Sequence, residues 1–260
     1  MQSESLQSGM LTAERRREIL NLLRRDGKVM AADLSARFAV SPDTVRRDLR
    51  EMAESGLLQR VHGGALPRSP TDPRYIIRQT ESPAAKETIS AAAAQLVRPG
   101  QVVIIDAGTT ALQVAQHLPH DLRATIVTNN PPVAVALGGH PYVEIILIGG
   151  HLIKDSLAVA GAEAVGALRS VRADMCILGV AGLHTEVGIS MLNLEEVYVK
   201  RAMVEGAAEV AAVITGDKLG TAAQYVVGPL SMLTHIVTEH SVDESVLEPY
   251  RAMGITIVKG

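Results

Sequence analysis

Residues 40–65 read VSPDTVRRDLREMAESGLLQRVHGGA, and the organisation of the chain follows from them. Ser41 is a good helix N-cap, and Pro42 at the first helical position gives up an amide that would have no partner there anyway. Val45, Leu49 and Met52 recur at i, i+4 and i+7, one apolar stripe for packing. Gly56 then closes the helix. Thr44, Arg46, Arg47 and Arg50 fall off the stripe, on faces open to a partner. Arginine forks match guanine edges and phosphates, and a helix N-terminus suits phosphate. Asp43, Asp48, Glu51 and Glu54 share those faces, so by itself the helix reads more readily as a solvated one.

The flanks decide between the two. Residues 31–38 (AADLSARF) predict a short helix with Leu34 and Phe38 inward, joined by Ala39-Val40-Ser41 to the helix just described. That is the spacing of a helix-turn-helix, here about 29–48. Residues 57–64 (LLQRVHGG) run from apolar to glycine-rich, the form of a small wing, and place Arg60 and His62 within reach of a sugar-phosphate backbone. Ahead of the pair, Thr12 is positioned to cap a bracing helix with Ile19, Leu20 and Leu23 inward, ending at Gly27. Its Arg15, Arg16 and Arg17 read as a solvated first turn, with phosphate contact as the alternative.

At these residues the chain resembles the DeoR family of bacterial transcriptional regulators. The resemblance rests on Thr44-Val45-Arg46-Arg47-Asp48-Leu49, Gly56, Leu58-Gln59-Arg60 and His62-Gly63-Gly64-Ala65, a long match at fixed spacing. It implies a winged helix-turn-helix over residues 12–67 that binds operator DNA through Ser41, Thr44, Arg46, Arg47, Arg50, Arg60 and His62.

Composition agrees. A length of 260 residues favours two modest domains. With 47% hydrophobic and 2% aromatic residues, any core must be aliphatic. One cysteine, Cys176, excludes an internal disulfide and suits a reducing cytoplasm. Residues 1–9 are polar, so 1–10 read as a disordered leader without a signal sequence, with Met10 a second possible start. No apolar run is long enough to span a membrane. Residues 10–66 carry 11 Lys/Arg against 8 Asp/Glu, and residues 67–260 carry 14 against 19, which puts any nucleic acid at one end only.

Residues 67–83 (PRSPTDPRYIIRQTESP) hold four prolines and read as a linker, about 68–85, or as an arm that buries Tyr75, Ile76 and Ile77. From residue 86 to 260, apolar runs alternate with helical stretches. Strands are expected at 102–106, 125–128, 144–148, 175–179, 210–215, 235–238 and 255–258, and helices near 86–97, 110–117, 131–138, 161–169, 194–208 and 243–252. Continuous apolar runs imply strands covered on both faces, hence an α/β domain with a mainly parallel sheet whose ligands bind beyond the strand C-termini.

Polar clusters fall at those ends. Asp106-Ala107-Gly108-Thr109-Thr110 opens a helix and can cradle phosphate, though such a turn is as often an ordinary one. Thr128-Asn129-Asn130, Gly149-Gly150 with Lys154 and Ser156, and Asp217-Lys218 follow other strands. Glu196 and Lys200 stand four apart on a helix, the spacing of a surface ion pair. The DeoR resemblance extends through this half. It implies an effector and oligomerisation domain similar to ribose-5-phosphate isomerases and CoA transferases, with phosphate on Gly108, Thr109, Thr110 and Lys218. It further implies sugar hydroxyls near Asp106, Asn129 and Asn130, with Gly150, Lys154, Glu195 and Lys200 beside the pocket. Two positions depart from the family pattern. Ile153 stands where many relatives have arginine, and Thr215-Gly216-Asp217-Lys218 where many have D-x-S-K.

No metal or cofactor is expected: His117 and His120 are separated by Pro119, and no cysteine or carboxylate completes a zinc spacing. Cys176 within an apolar strand reads as a buried structural thiol. An isomerase-like enzyme is the main alternative, with Asp106, Glu195 and Lys218 as nominal acid-base and enediolate groups. A ligand-free architectural DNA binder is a third, disfavoured by the polar strand ends. The reading is a cytoplasmic regulator, a repressor of carbohydrate catabolism relieved by a phosphorylated sugar. It acts as a dimer or tetramer on repeated half-sites.

Overall fold

The structure is a computed structural model that describes residues 11–260. The expected leader at 1–10 lies outside the described residues. The chain divides between Ser69 and Pro70 into two compact units.

The first unit contains α1 (Thr12–Asp26), β1 (Val29–Met30), α2 (Ala31–Phe38), α3 (Pro42–Glu54), β2 (Gln59–Val61) and β3 (Gly64–Leu66). Ser41 caps α3 by accepting from the Thr44 amide at 3.1 Å. Val45, Leu49 and Met52 are buried with Leu34, Phe38, Ile19, Leu22 and Leu23 in one aliphatic core. β2 and β3 form an antiparallel wing around His62-Gly63, and β1 pairs with the outer side of β3. The cap of α1 differs from expectation. Thr12 is already helical, Leu11 holds the cap position, and Glu14 accepts the Leu11 amide instead.

The second unit continues with α4 (Tyr75–Thr80), α5 (Pro83–Ala94), β4 (Val102–Ile105), α6 (Thr109–Gln116), β5 (Ala124–Thr128), α7 (Pro131–Leu137) and β6 (Val143–Leu147). β7 (His151–Ile153), β8 (Ala158–Ala160), α8 (Ala162–Arg169), β9 (Ala173–Gly179), β10 (Gly182–His184), β11 (Gly188–Met191) and α9 (Leu194–Glu205) follow. β12 (Ala207–Val213), β13 (Tyr225–Gly228), β14 (His235–Thr238), α10 (Glu244–Arg251) and β15 (Thr256–Lys259) complete it.

All seven expected strands are present and form one sheet, in the order β15-β14-β12-β9-β4-β5-β6, with every neighbouring pair parallel. The continuous apolar runs of the inner strands are explained by burial on both faces, whereas the edge strand β6 departs from that expectation and leaves Ile146 and Leu147 exposed. Val103, Ile105, Met175 and Ile177 pack toward α5, α6 and α7, while Ile104, Cys176 and Leu178 pack with residues of α8, α9 and α10. Burial pushes the Cys176 thiol far above its ordinary value, as a structural cysteine requires.

Three features were not anticipated. Two antiparallel ribbons, β7-β8 and β10-β11-β13, are built from segments of three or four residues, too short to show a period. β12 begins at Ala207, where a helix was expected to continue, because Gly206 ends α9. The presumed linker is partly helical, containing α4 and the start of α5. Of its apolar trio only Tyr75 is buried; Ile76 and Ile77 are 72% and 37% exposed.

Strands β4, β5 and β6 progress to one side of the sheet, and β9, β12, β14 and β15 to the other. The order therefore reverses between β4 and β9. Loops leaving adjacent strands in opposite directions part there and open a crevice at the strand C-termini.

Candidate nucleic-acid interface and candidate ligand cavity

The outer face of α3 is more basic than its sequence suggests. Asp48 is 0% exposed and has turned inward, accepting from Arg15 Nε at 2.6 Å and from Arg16 at 3.1 Å. Arg16 also pairs with Glu51, and Arg15 is itself buried. The solvated first turn expected for α1 is thus corrected for two residues: Arg15 and Arg16 lock α1 to α3, because a buried carboxylate requires a charged, hydrogen-bonding partner. Arg47 and Arg50 remain exposed and form no hydrogen bond or ion pair with the described residues, while Arg46 pairs with Asp43 at 2.8 Å in water. Such an exposed pair is weak and easily exchanged for phosphate. Ser41 and Thr44 mark the helix start, and Arg60 and His62 are exposed on the wing.

In the second unit a cavity of about 260 Å³ occupies the switch point between β4 and β9. That volume lies near the small end of small-molecule sites, roughly 300 Å³ upward. Ala107 to Ala111 enter from the end of β4, Gly179 to Ala181 from β9, and Val213, Thr215 and Lys218 from β12. Gly108 caps α6 with φ +152°, a conformation that glycine adopts freely. The first helical donor with a backbone acceptor is Leu112, bonded to the Gly108 carbonyl. The amides of Thr109, Thr110 and Ala111 precede it at the positive end of the helix. Gly179 is needed for clearance, since a Cβ there would stand 3.0 Å from the Ala107 carbonyl oxygen.

Of the residues expected around an effector, Gly108, Thr109, Thr110 and Lys218 line this cavity. The others do not, each for a visible reason. Asp106 and Lys200 form a buried ion pair, and Asp106 Oδ2 also accepts from the Gly179 amide at 2.9 Å. Lys200 therefore does not make the surface pair with Glu196 that the spacing suggested. Asn129 donates to the Val159 carbonyl, and Asn130 caps α7 while donating to Leu157. Gly150 abuts the Ala160 carbonyl in the β7-β8 ribbon, where a Cβ would stand 2.7 Å away. Lys154 and Glu195 point to solvent.

The lining adds residues that the sequence reading missed. Glu196 replaces its neighbour Glu195, and Asn193, Thr71 and Arg78 join it, together with Ser156, which already stood among the polar strand-end clusters. Ile153 presents an apolar side chain to the cavity. Ser156 Oγ is buried and has no hydrogen-bond partner among the described residues. Burial lowers the pKa of both Arg78 and Lys218, and the charge of Arg78 lowers that of Lys218 further, while Glu196 and Glu81 partly offset the shift on Arg78. Neither has a carboxylate within ion-pair distance among the described residues. Lys86, whose Nζ donates to the Arg78 carbonyl, is pushed down to about 8 by burial, with Lys218 beside it. A site so organised attracts an anion at its cationic side and can hydrogen-bond hydroxyls through Glu196, Asn193 and Ser156.

Sequence comparison identifies the two halves. Residues 15–71 match the DeoR-like helix-turn-helix domain, and residues 81–240 match the DeoR C terminal sensor domain. The chain belongs to the DeoR family of transcriptional regulators. It is 33% identical to the HTH-type transcriptional regulator GlpR of Haloferax volcanii, over 96% of this chain and 99% of that one. It is also 33% identical to the glycerol-3-phosphate regulon repressor of Escherichia coli, over 92% and 95% of the two chains. Identity to the HTH-type transcriptional repressor GlcR of Bacillus subtilis is 32%, over 88% and 89%. Among solved structures, ribose 5-phosphate isomerase A of Methanocaldococcus jannaschii aligns at a TM-score of 0.37 and 12% identity, over 51% of this chain and 52% of that one. No helix of the described residues is long and apolar enough to cross a membrane.

Proposed function

We propose that this DeoR-family chain is a repressor of carbohydrate or related catabolic genes, released from its operator by a small phosphorylated metabolite. The observation that carries the effector half is the cavity's two desolvated cations, Arg78 and Lys218, without carboxylate partners beside the amides that open α6. A phosphate there would satisfy both kinds of donor. The name of the Escherichia coli relative, a glycerol-3-phosphate regulon repressor, favours a small phosphate ester such as glycerol 3-phosphate. On this reading α3 enters the major groove through Thr44, Arg46, Arg47 and Arg50, and the wing rests on the backbone through Arg60 and His62. Homo-oligomers, dimers or tetramers, would match repeated half-sites in the cytoplasm. The metabolite acts by linkage, preferring an arrangement that no longer fits the operator, with a coupling of roughly 1–3 kcal/mol. The enzyme reading loses ground because two of its three nominal groups, Asp106 and Glu195, are absent from the cavity lining.

The test is fluorescence polarisation on DNA from upstream of the protein's own gene, titrated with sugar phosphates that include glycerol 3-phosphate. Release by a phosphorylated compound but not by its free sugar is expected. Arg47→Ala should weaken DNA binding and spare the effector, whereas Lys218→Ala should bind DNA and fail to respond. Turnover of a sugar phosphate without DNA binding would favour the enzyme.

Charge on Lys86 gives the cavity a pH dependence. Below about 8 the ammonium is protonated and adds to the field of Arg78 and Lys218, with Glu81 and Asp217 opposing it. A phosphate monoester is already mostly dianionic by neutral pH, its second pKa being about 6. Raising the pH from 7 to 9 therefore removes positive charge from the site and adds little negative charge to the ligand. Calorimetry should show affinity falling several-fold over that range, with a shallower fall in Lys86→Met. Affinity that is flat or rises with pH would exclude this role for Lys86.

A further inference from the structure

One wall of the cavity differs in kind from the rest. Thr71, Pro73 and Arg78 belong to the segment that begins at Pro70, directly after the last residue of the first unit. This arm is fastened to the second unit at the cavity rim. Thr71 Oγ1 donates to the Ala181 carbonyl at 3.1 Å, and the Tyr75 amide donates to the Asp155 carbonyl. Ala181 and Asp155 are themselves lining residues. Behind the rim, Lys86 Nζ holds the Arg78 carbonyl.

The Arg78 guanidinium is only half committed. Nη1 donates to the carbonyls of Asp72 at 2.9 Å and Pro73 at 2.7 Å, which closes the arm on itself. Nε and Nη2, with three of the five N–H donors of a guanidinium, have no acceptor among the described residues. The head group nonetheless lies in a partly desolvated cavity wall, 6.0 Å from the Tyr75 ring. A desolvated guanidinium with an unused donor edge is a costly arrangement unless an oxyanion completes it.

Resting on the effector reading above, we infer that Arg78 is a ligand-binding residue whose free edge clamps the anionic group of a phosphomonoester against Lys218, so that the ligand itself fastens the arm. The physical basis is a reversal of sign. Arg78 on the arm faces Lys218 after β12 and lowers its pKa, like charge beside like, while Glu196 and Glu81 draw on Arg78 from the other side. A dianion between them attracts both. Residues 70–78 lead straight out of the first unit, so ligand occupancy becomes a restraint on the segment that joins the two units. Thr71 and Tyr75 need not touch the ligand for this to work; they only have to keep the arm seated at the rim.

The experiment uses the full chain, with inorganic phosphate and glycerol 3-phosphate as probes. Affinity is read by calorimetry, and the state of the arm by the rate of tryptic cleavage after Arg74, an exposed arm residue. Wild-type protein should bind glycerol 3-phosphate and lose cleavage at Arg74 as the site fills. Arg78→Gln should lower affinity about tenfold or more, the scale of a lost charged hydrogen bond. At saturating probe it should still be cut. Arg78→Lys keeps the charge and the fold but lacks the fork, and should bind with intermediate affinity and incomplete protection. Folded Arg78 variants that bind within about twofold of wild type would overturn the assignment. So would a wild-type complex in which Arg74 is cut as fast as without ligand. Failure of wild-type protein to bind either probe or any sugar phosphate would instead overturn the effector reading, and this inference with it.

Discussion

Asp48→Ala is expected to unfold the DNA-reading unit at temperatures where the second unit stays intact. The substitution leaves the buried Arg15 guanidinium without the carboxylate it faces at 2.6 Å and removes the bonds from Arg16. Removing one partner of a buried pair costs about 3–5 kcal/mol, because the remaining charge loses its counter-charge where water solvates it poorly. A unit this small holds only about 5 kcal/mol in total. Hydrogen exchange resolved by peptide is the measurement: amides of residues 11–69 should lose protection while those of the seven-stranded sheet keep theirs. Asp43→Ala is the control. It removes an ion pair of similar geometry with Arg46, but in water, and should cost less than about 1 kcal/mol. Equal effects at the two positions would mean that burial is not what gives Asp48 its weight.

Lys200→Met is the second large effect, in the other unit. Asp106 is 1% exposed and its Oδ1 has no partner among the described residues, so losing Lys200 leaves a buried carboxylate whose other described bond is from the Gly179 amide. The expected cost is again about 3–5 kcal/mol, measured by denaturant unfolding. The double variant Asp106→Asn with Lys200→Met should be more stable than Lys200→Met by itself, since a neutral amide still accepts from Gly179 and no unpaired charge remains. Simple addition of the two single effects would show that the residues act independently. Because Gly179 and Ala107 line the cavity, the single variants should also weaken ligand binding, through floor geometry rather than through contact.

Much of the fold was legible, and the reason is periodicity. Val45, Leu49 and Met52 mark a helix face, while runs such as Val102 to Ile105 mark a strand buried on both sides. Each signal lies within a few residues, so no knowledge of the rest of the chain is needed. The antiparallel ribbons escaped notice because His151–Ile153 or Gly182–His184 offers no full period to read. The arm at 70–80 was obscured by its prolines, which broke the pattern without showing that α4 resumes between them.

The cavity was legible only in part. The helix start at Gly108 to Thr110 and the cation at Lys218 follow strands, and a parallel sheet brings all strand C-termini to one edge. Adjacent residues proved harder: Glu195 and Glu196 differ by 100° around a helix, and only packing decides which one turns inward. Asn129, Asn130 and Asp106 had the chemistry of ligand contacts but were already occupied by Val159, Leu157 and Lys200.

By itself the sequence determined the winged helix-turn-helix pattern, the family and the parallel α/β class, because hydrophobic period and turn chemistry are local properties. Tertiary structure decided which charges are spent. It buried Asp48 against Arg15 and Arg16, and so left Arg47 and Arg50 on a cleaner basic face. It paired Lys200 with Asp106, 94 residues away, and left Arg78 and Lys218 in one cavity without an ion-pair partner among the described residues. Whether a charge is neutralised depends on distance in space, and no spacing along the chain encodes that distance.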